Sequence, residues 1–146
     1  MQRYPAIHRD IVVWQDYRNE NWDIYGYNLK TKEEFQIITD SEDQSKPAIY
    51  NKIVVWIHGG IYGYNLLTNE LFLITASPVG QSAPAIYESI VVWQDYRNEN
   101  YDIYGCYIFA PPSEPSFIEP PSLLLPLAIL VLIASIIGGI IIWRKK

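Results

Sequence analysis

Short apolar runs recur through the first 109 residues, each bounded by polar or glycine-containing segments. Ile-Val-Val-Trp occurs at 11–14, 53–56 and 90–93, and Ile-Tyr-Gly occurs at 24–26, 61–63 and 103–105. The runs are rich in β-branched and aromatic residues, and they are too short for helices. The pattern therefore predicts an all-β region built from repeated strands.

The runs belong to a repeated unit of about 40 residues. Pro-Ala-Ile precedes each Ile-Val-Val-Trp, at 5–7, 47–49 and 84–86, and residues 11–21 are identical to residues 90–100. The tryptophans are 42 and then 37 positions apart, because the middle copy is five residues shorter between its Trp and its Gly. A deletion confined to one place between two apolar runs is what a hairpin loop tolerates.

Each complete unit predicts one very short strand, Pro-Ala-Ile, and three longer ones. In the first copy the longer strands are Ile-Val-Val-Trp, Asp23–Leu29 and Glu34–Thr39, and Leu71–Thr75 matches the last of these in the second copy. His58-Gly59-Gly60 replaces the long connector in the middle copy, and Gly-Gly suits a tight turn with positive φ. Four strands in about 40–45 residues is the period of a β-propeller blade.

The order of these motifs resembles the TolB-like propeller repeat, in the version found in large archaeal cell-surface and S-layer-associated proteins. The motifs are Pro-Ala-Ile, Ile-Val-Val-Trp-Gln-Asp, a turn with Asn, Asp-Ile-Tyr-Gly-Tyr-Asn-Leu and Phe-Gln-Ile-Ile-Thr. The resemblance covers residues 4–109, with blades at about 4–40, 46–76 and 83–109. It implies four-stranded antiparallel blades that serve as a binding or structural scaffold, with no catalytic residues.

The third unit stops early, so the sequence predicts an incomplete propeller. Propellers close with about four to eight blades, and an open stack leaves an apolar face and unpaired strand edges. Three explanations stay open: a remnant of a longer surface protein, assembly with copies of itself to complete a ring, or a small open stack. We favour the first, because the chain begins at a unit boundary and the two identical segments indicate recent duplication within a longer array.

The C-terminal part has a different composition. Residues 110–122 are rich in proline and predict a semi-rigid, extended stalk. Residues 123–143 carry no charge and predict one transmembrane helix, because 21 residues rising about 1.5 Å each span a hydrocarbon core of about 30 Å. Trp143 lies where an interfacial aromatic is expected, and residues 144–146, Arg-Lys-Lys, predict a basic cytoplasmic tail.

The charges flanking the apolar segment predict a single-pass membrane protein with an extracellular repeat region and a cytoplasmic C-terminus. Residues 1–10 lack the apolar core of a signal peptide, so a tail-anchored protein facing the cytoplasm is the rival topology. A third interpretation is a sorting signal of the sortase or archaeosortase kind, from which the helix is removed in the mature protein.

Composition argues against several function classes. The net charge is −5 and the pI is about 4.9, so the chain lacks the basic surface that nucleic acid attracts. Cys106 aligns with Tyr27 and Tyr64, which predicts a packing role for it. His8 and His58 lie at non-equivalent repeat positions with no recurring nucleophile, so we expect a protein that is not an enzyme.

Oxygen-bearing side chains crowd the long connector and its copy. These side chains make Ca²⁺ the one candidate cofactor of this chain. The candidate Ca²⁺ ligands are Asp16, Asn19, Asn21, Asp23, Asp95, Asn98, Asn100 and Asp102. The alternative is that these residues cap the hairpin turn, since their spacing matches no EF-hand loop. Trp22 and Tyr101, at the loop tips, are candidates for exposed aromatics that contact a sugar or a protein.

The sequence thus predicts a membrane-anchored cell-surface propeller repeat protein that scaffolds, adheres or binds. Its expected partners are the lipid bilayer, a protein or carbohydrate ligand, and copies of itself. The alternatives are an inactive remnant of a larger propeller enzyme or lectin, and a tail-anchored interaction protein that faces the cytoplasm.

Overall fold

The computed structural model describes residues 1–76 and 80–109, which form eleven strands in three antiparallel sheets. The first sheet contains β1 (Gln2–His8), β2 (Ile11–Asp16), β3 (Asp23–Asn28) and β4 (Glu33–Ile38). The second contains β5 (Ser45–Tyr50), β6 (Ile53–Ile57), β7 (Ile61–Asn65) and β8 (Glu70–Thr75). The third contains β9 (Ser82–Tyr87), β10 (Ile90–Asp95) and β11 (Asp102–Tyr107). The predicted all-β fold is confirmed for these residues.

Within each sheet the strands pair in chain order, so every connection is a hairpin. The register places the repeated tryptophan of the second strand opposite a tyrosine of the third, as at Trp14 and Tyr25. Their ring centroids are 6.5 Å apart, and the equivalent pairs in the other sheets are separated by 6.4 Å and 6.3 Å. Such cross-strand aromatic pairs stabilise a hairpin beyond their burial alone.

The sheets stack face to face, and two apolar clusters fill the spaces between them. We call the face that each sheet presents to the following sheet its trailing face, and the opposite one its leading face. Between the first two sheets, Ile11, Val13, Ile24 and Ile37 of one trailing face join Val54 and Trp56 of the next leading face. Between the second and third sheets, five residues of the cluster are equivalent to residues of the first cluster, and Tyr104 and Cys106 join them. The five are Ile53, Val55, Ile61, Val91 and Trp93. Cys106 thus has the packing role that the repeat alignment predicts, and burial raises the pKa of its thiol.

The innermost strands β1, β5 and β9 are longer than the Pro-Ala-Ile segments from which they were predicted, because each begins several residues before its proline. The residue before each proline has a positive φ: Tyr4 (52°), Lys46 (53°) and Ala83 (50°). The register shifts there, between Arg3 and Ala6 in the first sheet. A bulge of this kind moves the proline, which has no N–H, out of the hydrogen-bonded ladder.

The two ends of the stack carry different connections. The long-loop end carries loops 17–22 and 96–101, the short loop 58–60 and the connector 39–44; the turn end carries the tight turns after the first and third strands. The predicted tight turn at Gly59-Gly60 is present, with φ +61° at Gly59 and a 2.9 Å bond from the His58 N–H to the Gly60 carbonyl. Deleting the long connector therefore leaves the hairpin intact.

Several predicted segments lie outside the described residues: the stalk at 110–122, the transmembrane helix at 123–143 and the basic tail at 144–146. Among residues 1–76 and 80–109, no helix has the length and apolar character needed to cross a bilayer. In the same part of the chain the third sheet has three strands where the other two have four.

Candidate functional site

A buried aspartate anchors the long loop of the first sheet. Asp16, 3% exposed, ends β2 and accepts hydrogen bonds from Trp14 Nε1 (3.1 Å), Gln2 Nε2 (2.9 Å) and the Arg18 guanidinium (2.6 Å). The Arg18 guanidinium also lies over the Tyr25 ring, 3.9 Å from its centroid. These contacts satisfy a carboxylate that would otherwise be costly to bury.

The third sheet repeats the arrangement. Asp95 accepts hydrogen bonds from Trp93 Nε1 (3.2 Å), Gln81 Nε2 (3.1 Å) and the Arg97 guanidinium (2.5 Å). Arg97 lies 4.3 Å from the Tyr104 ring centroid. We call each set of Trp, Asp, Arg and Tyr a clasp, because it ties the loop to the strands on both sides.

The clasps have a clear electrostatic signature. The bond from Arg18, followed by those from Gln2 and Trp14, holds the pKa of Asp16 well below its usual range. Arg97 has the same effect on the pKa of Asp95, and both arginine pKa values are raised in return. Both carboxylates are therefore ionised and paired at neutral pH.

Two asparagines complete each loop. The side-chain N–H groups of Asn19 and Asn21 donate to the Asp23 carboxylate at 2.7 Å and 3.1 Å, and Asn19 also donates to the Tyr25 hydroxyl at 3.0 Å. The third sheet repeats these bonds between Asn98, Asn100, Asp102 and Tyr104, at 2.9–3.2 Å. The side chains of the loop therefore bond mainly to one another.

The candidate Ca²⁺ ligands thus fall into two groups in each loop. Asp16 bonds to Arg18, whereas Asp23 faces the N–H groups of two asparagines, although the register sets Asp16 directly opposite Asp23. Ca²⁺ requires six to eight oxygen ligands around one point. In the part of the chain that the structure describes, no cluster of three or more His, Cys, Asp and Glu suits a metal ion. The Ca²⁺ site stays a prediction, and the geometry favours the alternative of a self-bonded loop.

The predicted contact aromatics, Trp22 and Tyr101, each have a ring partner that the sequence reasoning missed. Tyr17 lies 5.2 Å from Trp22, and Tyr96 lies 5.0 Å from Tyr101, centroid to centroid. Tyr101 is 64% exposed, Tyr17 and Tyr96 are 44% and 41% exposed, and Trp22 is half-buried. The missed signal was that both tyrosines belong to the long copies of the repeat and disappear with the middle deletion. We call these two sets the loop aromatic pairs.

Neighbouring residues hold the first pair in place. The Arg3 guanidinium lies 5.3 Å from the Trp22 ring centroid. The Trp22 N–H donates to Asp43 Oδ1 at 2.9 Å, and its carbonyl accepts from the Gln44 N–H at 2.7 Å. The Trp22 backbone is therefore fixed to the connector between the first two sheets.

A glutamine three residues before each repeat proline is a second feature that the sequence reasoning missed. Gln2 and Gln81 donate to Asp16 and Asp95, but the middle deletion removes the aspartate that would pair with Gln44. Gln44 is 1% exposed, and its Oε1 has no hydrogen-bond partner among the described residues. In the two blades that have a clasp, the glutamine thus donates to the clasp aspartate, and its position in the repeat was the available signal.

A third missed feature lies at the turn end. His8, Tyr50 and Tyr87 each follow Pro-Ala-Ile, and their rings form a row with centroid separations of 4.5 Å and 5.0 Å. The Asn51 N–H donates to His8 Nδ1 at 2.8 Å. We call this the inner aromatic row. His58 lies at the opposite end, near Asp40 (3.7 Å), so the two histidines belong to separate environments.

Comparison with known proteins supports the fold and goes no further. No protein-family model matches the chain, and no curated protein sequence matches it. Among solved structures, a protein assigned as TolB from Agrobacterium tumefaciens is similar with a TM-score of 0.64 and 12% identity, over 74% of this chain and 46% of that one. TolB from Acinetobacter baumannii has a TM-score of 0.62 and 16% identity, over 74% of this chain and 30% of that one.

A structure of a nidogen/laminin complex is also similar, with a TM-score of 0.57 and 16% identity, over 70% of this chain and 43% of that one. The chain therefore spans less than half the length of each of these proteins. Identities this low show the fold alone. The three sheets are accordingly blades of a partial β-propeller with the TolB-like fold.

Proposed function

We propose that this chain is a non-enzymatic binding scaffold, anchored in a membrane, whose long-loop end contacts a protein partner. The observation that carries the proposal is the presence of two loop aromatic pairs on matching loops at the same end of the stack. Interface centres are enriched in Tyr, Trp and Arg, and such rings supply contact area at a small cost in conformational entropy.

The clasps support this proposal. They occupy the carboxylates of Asp16 and Asp95 in bonds to Arg18 and Arg97, while Tyr17, Tyr96 and Tyr101 stay exposed on the same loops. They also fix each loop to its strands, so binding does not have to pay for ordering it. One of the similar structures is a complex between nidogen and laminin, which supports a protein ligand by analogy alone.

Membrane anchoring is part of the proposal and is supported by the sequence of residues 123–146. An uncharged stretch of 21 residues is followed by three cations, and under the positive-inside rule this order supports a cytoplasmic C-terminus with the repeats outside. An archaeal cell-surface setting of the S-layer type is the finer proposal, supported by the resemblance of the repeat motifs.

The binding proposal is tested with the full chain in nanodiscs as bait for solubilised envelope proteins. A partner identified by mass spectrometry should bind at least about 30-fold more weakly to the W22A/Y101A double variant, because buried aromatic anchors contribute about 2 kcal/mol or more. The control is L67A, since Leu67 is exposed in a turn of the second blade, away from the long loops. Equal binding by all three proteins would contradict the proposal.

The anchoring proposal is tested by cell fractionation and detergent-phase partitioning. The full chain should enter the membrane and detergent phases, and a chain ending at residue 109 should not. Protease added to intact cells should then digest the repeats if they are extracellular. Protection of the repeats would favour the tail-anchored alternative, and an aqueous full chain would contradict anchoring altogether.

A further inference from the structure

Two identical strands are buried to very different degrees. Residues 11–16 and 90–95 share the sequence Ile-Val-Val-Trp-Gln-Asp and the same register with their third strands. Yet Ile11 and Val13 are 5% and 0% exposed, whereas Ile90 and Val92 are both 38% exposed. Sequence and register are the same, so the difference comes from what surrounds the two strands. Blade 1 is followed by another blade and has a fourth strand whose Phe35 lies over Gly26, whereas among the described residues blade 3 has neither.

Blade 3 therefore presents a three-stranded trailing face that no other described blade covers. Its exposed residues Ile90, Val92 and Ile103 occupy the positions of Ile53, Val55 and Ile61, which are buried beneath blade 3 in the middle blade. A shallow groove lies along this face, and its walls are mainly apolar. The face has the chemistry of a blade–blade interface and not of a solvated surface.

The complementary surface is the leading face of blade 1, on the opposite side of the three blades. A second groove, on the leading face of blade 1, is lined by Val12, Trp14 and Tyr27 among others. In blades 2 and 3 the residues equivalent to Val12 and Trp14 pack on the preceding trailing face. The described residues thus include, on these two outer faces, the second- and third-strand positions of the interface that the chain already uses twice.

Two polar and aromatic details agree. Gln15, 4% exposed, accepts a 3.0 Å hydrogen bond from the Lys46 N–H of the next blade, whereas the identical Gln94 is exposed and has no following blade. The inner aromatic row also ends abruptly, with Tyr87 64% exposed. A following blade 1 would bring His8 into the next place in that row.

We infer that the trailing face of blade 3 binds the leading face of blade 1 in a second copy of this chain, and that two copies close a six-bladed ring. Six lies within the four to eight blades at which propellers close. A rotation about the propeller axis relates the copies, so two equal head-to-tail contacts close the ring.

The test pairs opposite charges across the inferred contact. In the internal interfaces, Val13 clusters with Val54, and Val55 with Val91; the equivalent pair between copies is Val92 with Val12. V92E or V12K alone places an unpaired charge in an apolar contact and should weaken association at least about 30-fold. The V12K/V92E double variant sets Glu against Lys in both contacts and should restore association. L67E is the control for an added surface charge.

The measurement is the mass of the full chain in detergent, by native mass spectrometry and light scattering across a concentration series, with circular dichroism to verify folding. Two copies are expected for the wild type, for L67E and for the double variant, and one copy for each folded single variant. A single copy for the wild type would overturn the inference. Pairs that persist in both single variants would also overturn it, because they would be held by residues outside these faces, and so would a double variant that stays single.

Discussion

Two glycines lie directly beneath aromatic rings. A Cβ added at Gly26 would lie 2.5 Å from Phe35 Cζ, and one at Gly63 would lie 2.4 Å from Phe72 Cζ. At Gly105 the nearest atom is Val92 Cγ1, at 3.0 Å, on a partly exposed side chain. Glycine is therefore needed for a close approach in the two four-stranded blades, where the fourth strand supplies the ring.

This difference predicts unequal effects of the same substitution. G63A should destabilise the fold by about 1–2 kcal/mol, because the Phe72 ring must leave its place over the strand. G105A should cost less than about 1 kcal/mol, since Val92 can shift. Urea unfolding of both variants measures the difference. Equal destabilisation would show that the ring contact does not determine the cost.

The clasp aspartates couple stability to pH. In the folded chain the pKa values of Asp16 and Asp95 are lowered by their arginines, whereas an unfolded aspartate titrates near 3.9. Below about pH 4 the unfolded state therefore binds more protons than the folded state, and stability falls as pH falls. The contribution is fully present above the unfolded pKa and is lost as pH drops through the folded pKa.

We accordingly expect the melting temperature to drop between about pH 5 and pH 2, and to drop less steeply in D95N, which cannot titrate at that position. At pH 7 D95N should be less stable by about 1.5–3 kcal/mol, because Asp95 is buried and its bond to Arg97 is charge-assisted. Thermal unfolding across this range measures both effects. The melting temperature of the D16N/D95N double variant should depend on pH still less. An unchanged pH dependence in that variant would contradict the role of the two aspartates in acid destabilisation.

At the scale of single elements, the same hairpin is closed in two ways. Blades 1 and 3 use a clasped loop that displays an aromatic pair, whereas blade 2 uses a turn at His58-Gly59-Gly60. A Cβ at Gly60 would lie 2.3 Å from the Thr75 carbonyl oxygen, so the short turn depends on that glycine. The strand registers on both sides remain equivalent, so the pairing of the second and third strands does not depend on which connection joins them.

A loop exchange tests this separation. Replacing residues 15–23 with Ile-His-Gly-Gly gives blade 1 the connection of blade 2, and the fold should be retained with a melting temperature within about 10 °C of the wild type. Partner binding should weaken relative to the wild type, because Tyr17 and Trp22 are removed together. Circular dichroism and the binding assay provide the measurements. Loss of cooperative unfolding would show that the clasp is required for blade 1 to form.

At the scale of the whole molecule, stability depends on neighbours, as in other repeat arrays. Among the described residues, blade 2 is covered on both faces, whereas blades 1 and 3 are each covered on one face. In a single copy, β10 faces solvent on every second residue, although the identical β2 does not.

Hydrogen exchange can measure this difference in protection between the two identical strands. In the wild type at low concentration, amides of residues 90–95 should exchange faster than those of the identical residues 11–16, whose intrinsic rates are nearly the same. In the wild type at high concentration the difference should narrow, because the inferred second copy covers β10. Residue-resolved exchange at both concentrations is the measurement. Equal protection in the single copy would contradict the role assigned to the missing neighbour.

The sequence alone determined the repeat, its strands and its blade type, because β-branched runs, turn residues and a fixed period are local signals. It also located the tight turn at Gly59-Gly60 and the packing role of Cys106, since both follow from aligning the copies. The full length of the inner strands was not predictable, because it depends on bulges that keep Pro5, Pro47 and Pro84 out of the ladder.

Only the tertiary structure decided which contacts the repeated residues make in each copy. The clasps depend on the fold, because it brings Gln2 and Arg18 into hydrogen-bonding distance of Asp16. The loop aromatic pairs likewise depend on the contact that the fold makes between Tyr17 and Trp22. Residues 11–21 and 90–100 have the same sequence, yet the apolar side chains on the trailing face are buried in the first segment and exposed in the second. The reason is physical: burial belongs to a contact between blades, and a sequence specifies a face without specifying whether a neighbour covers it.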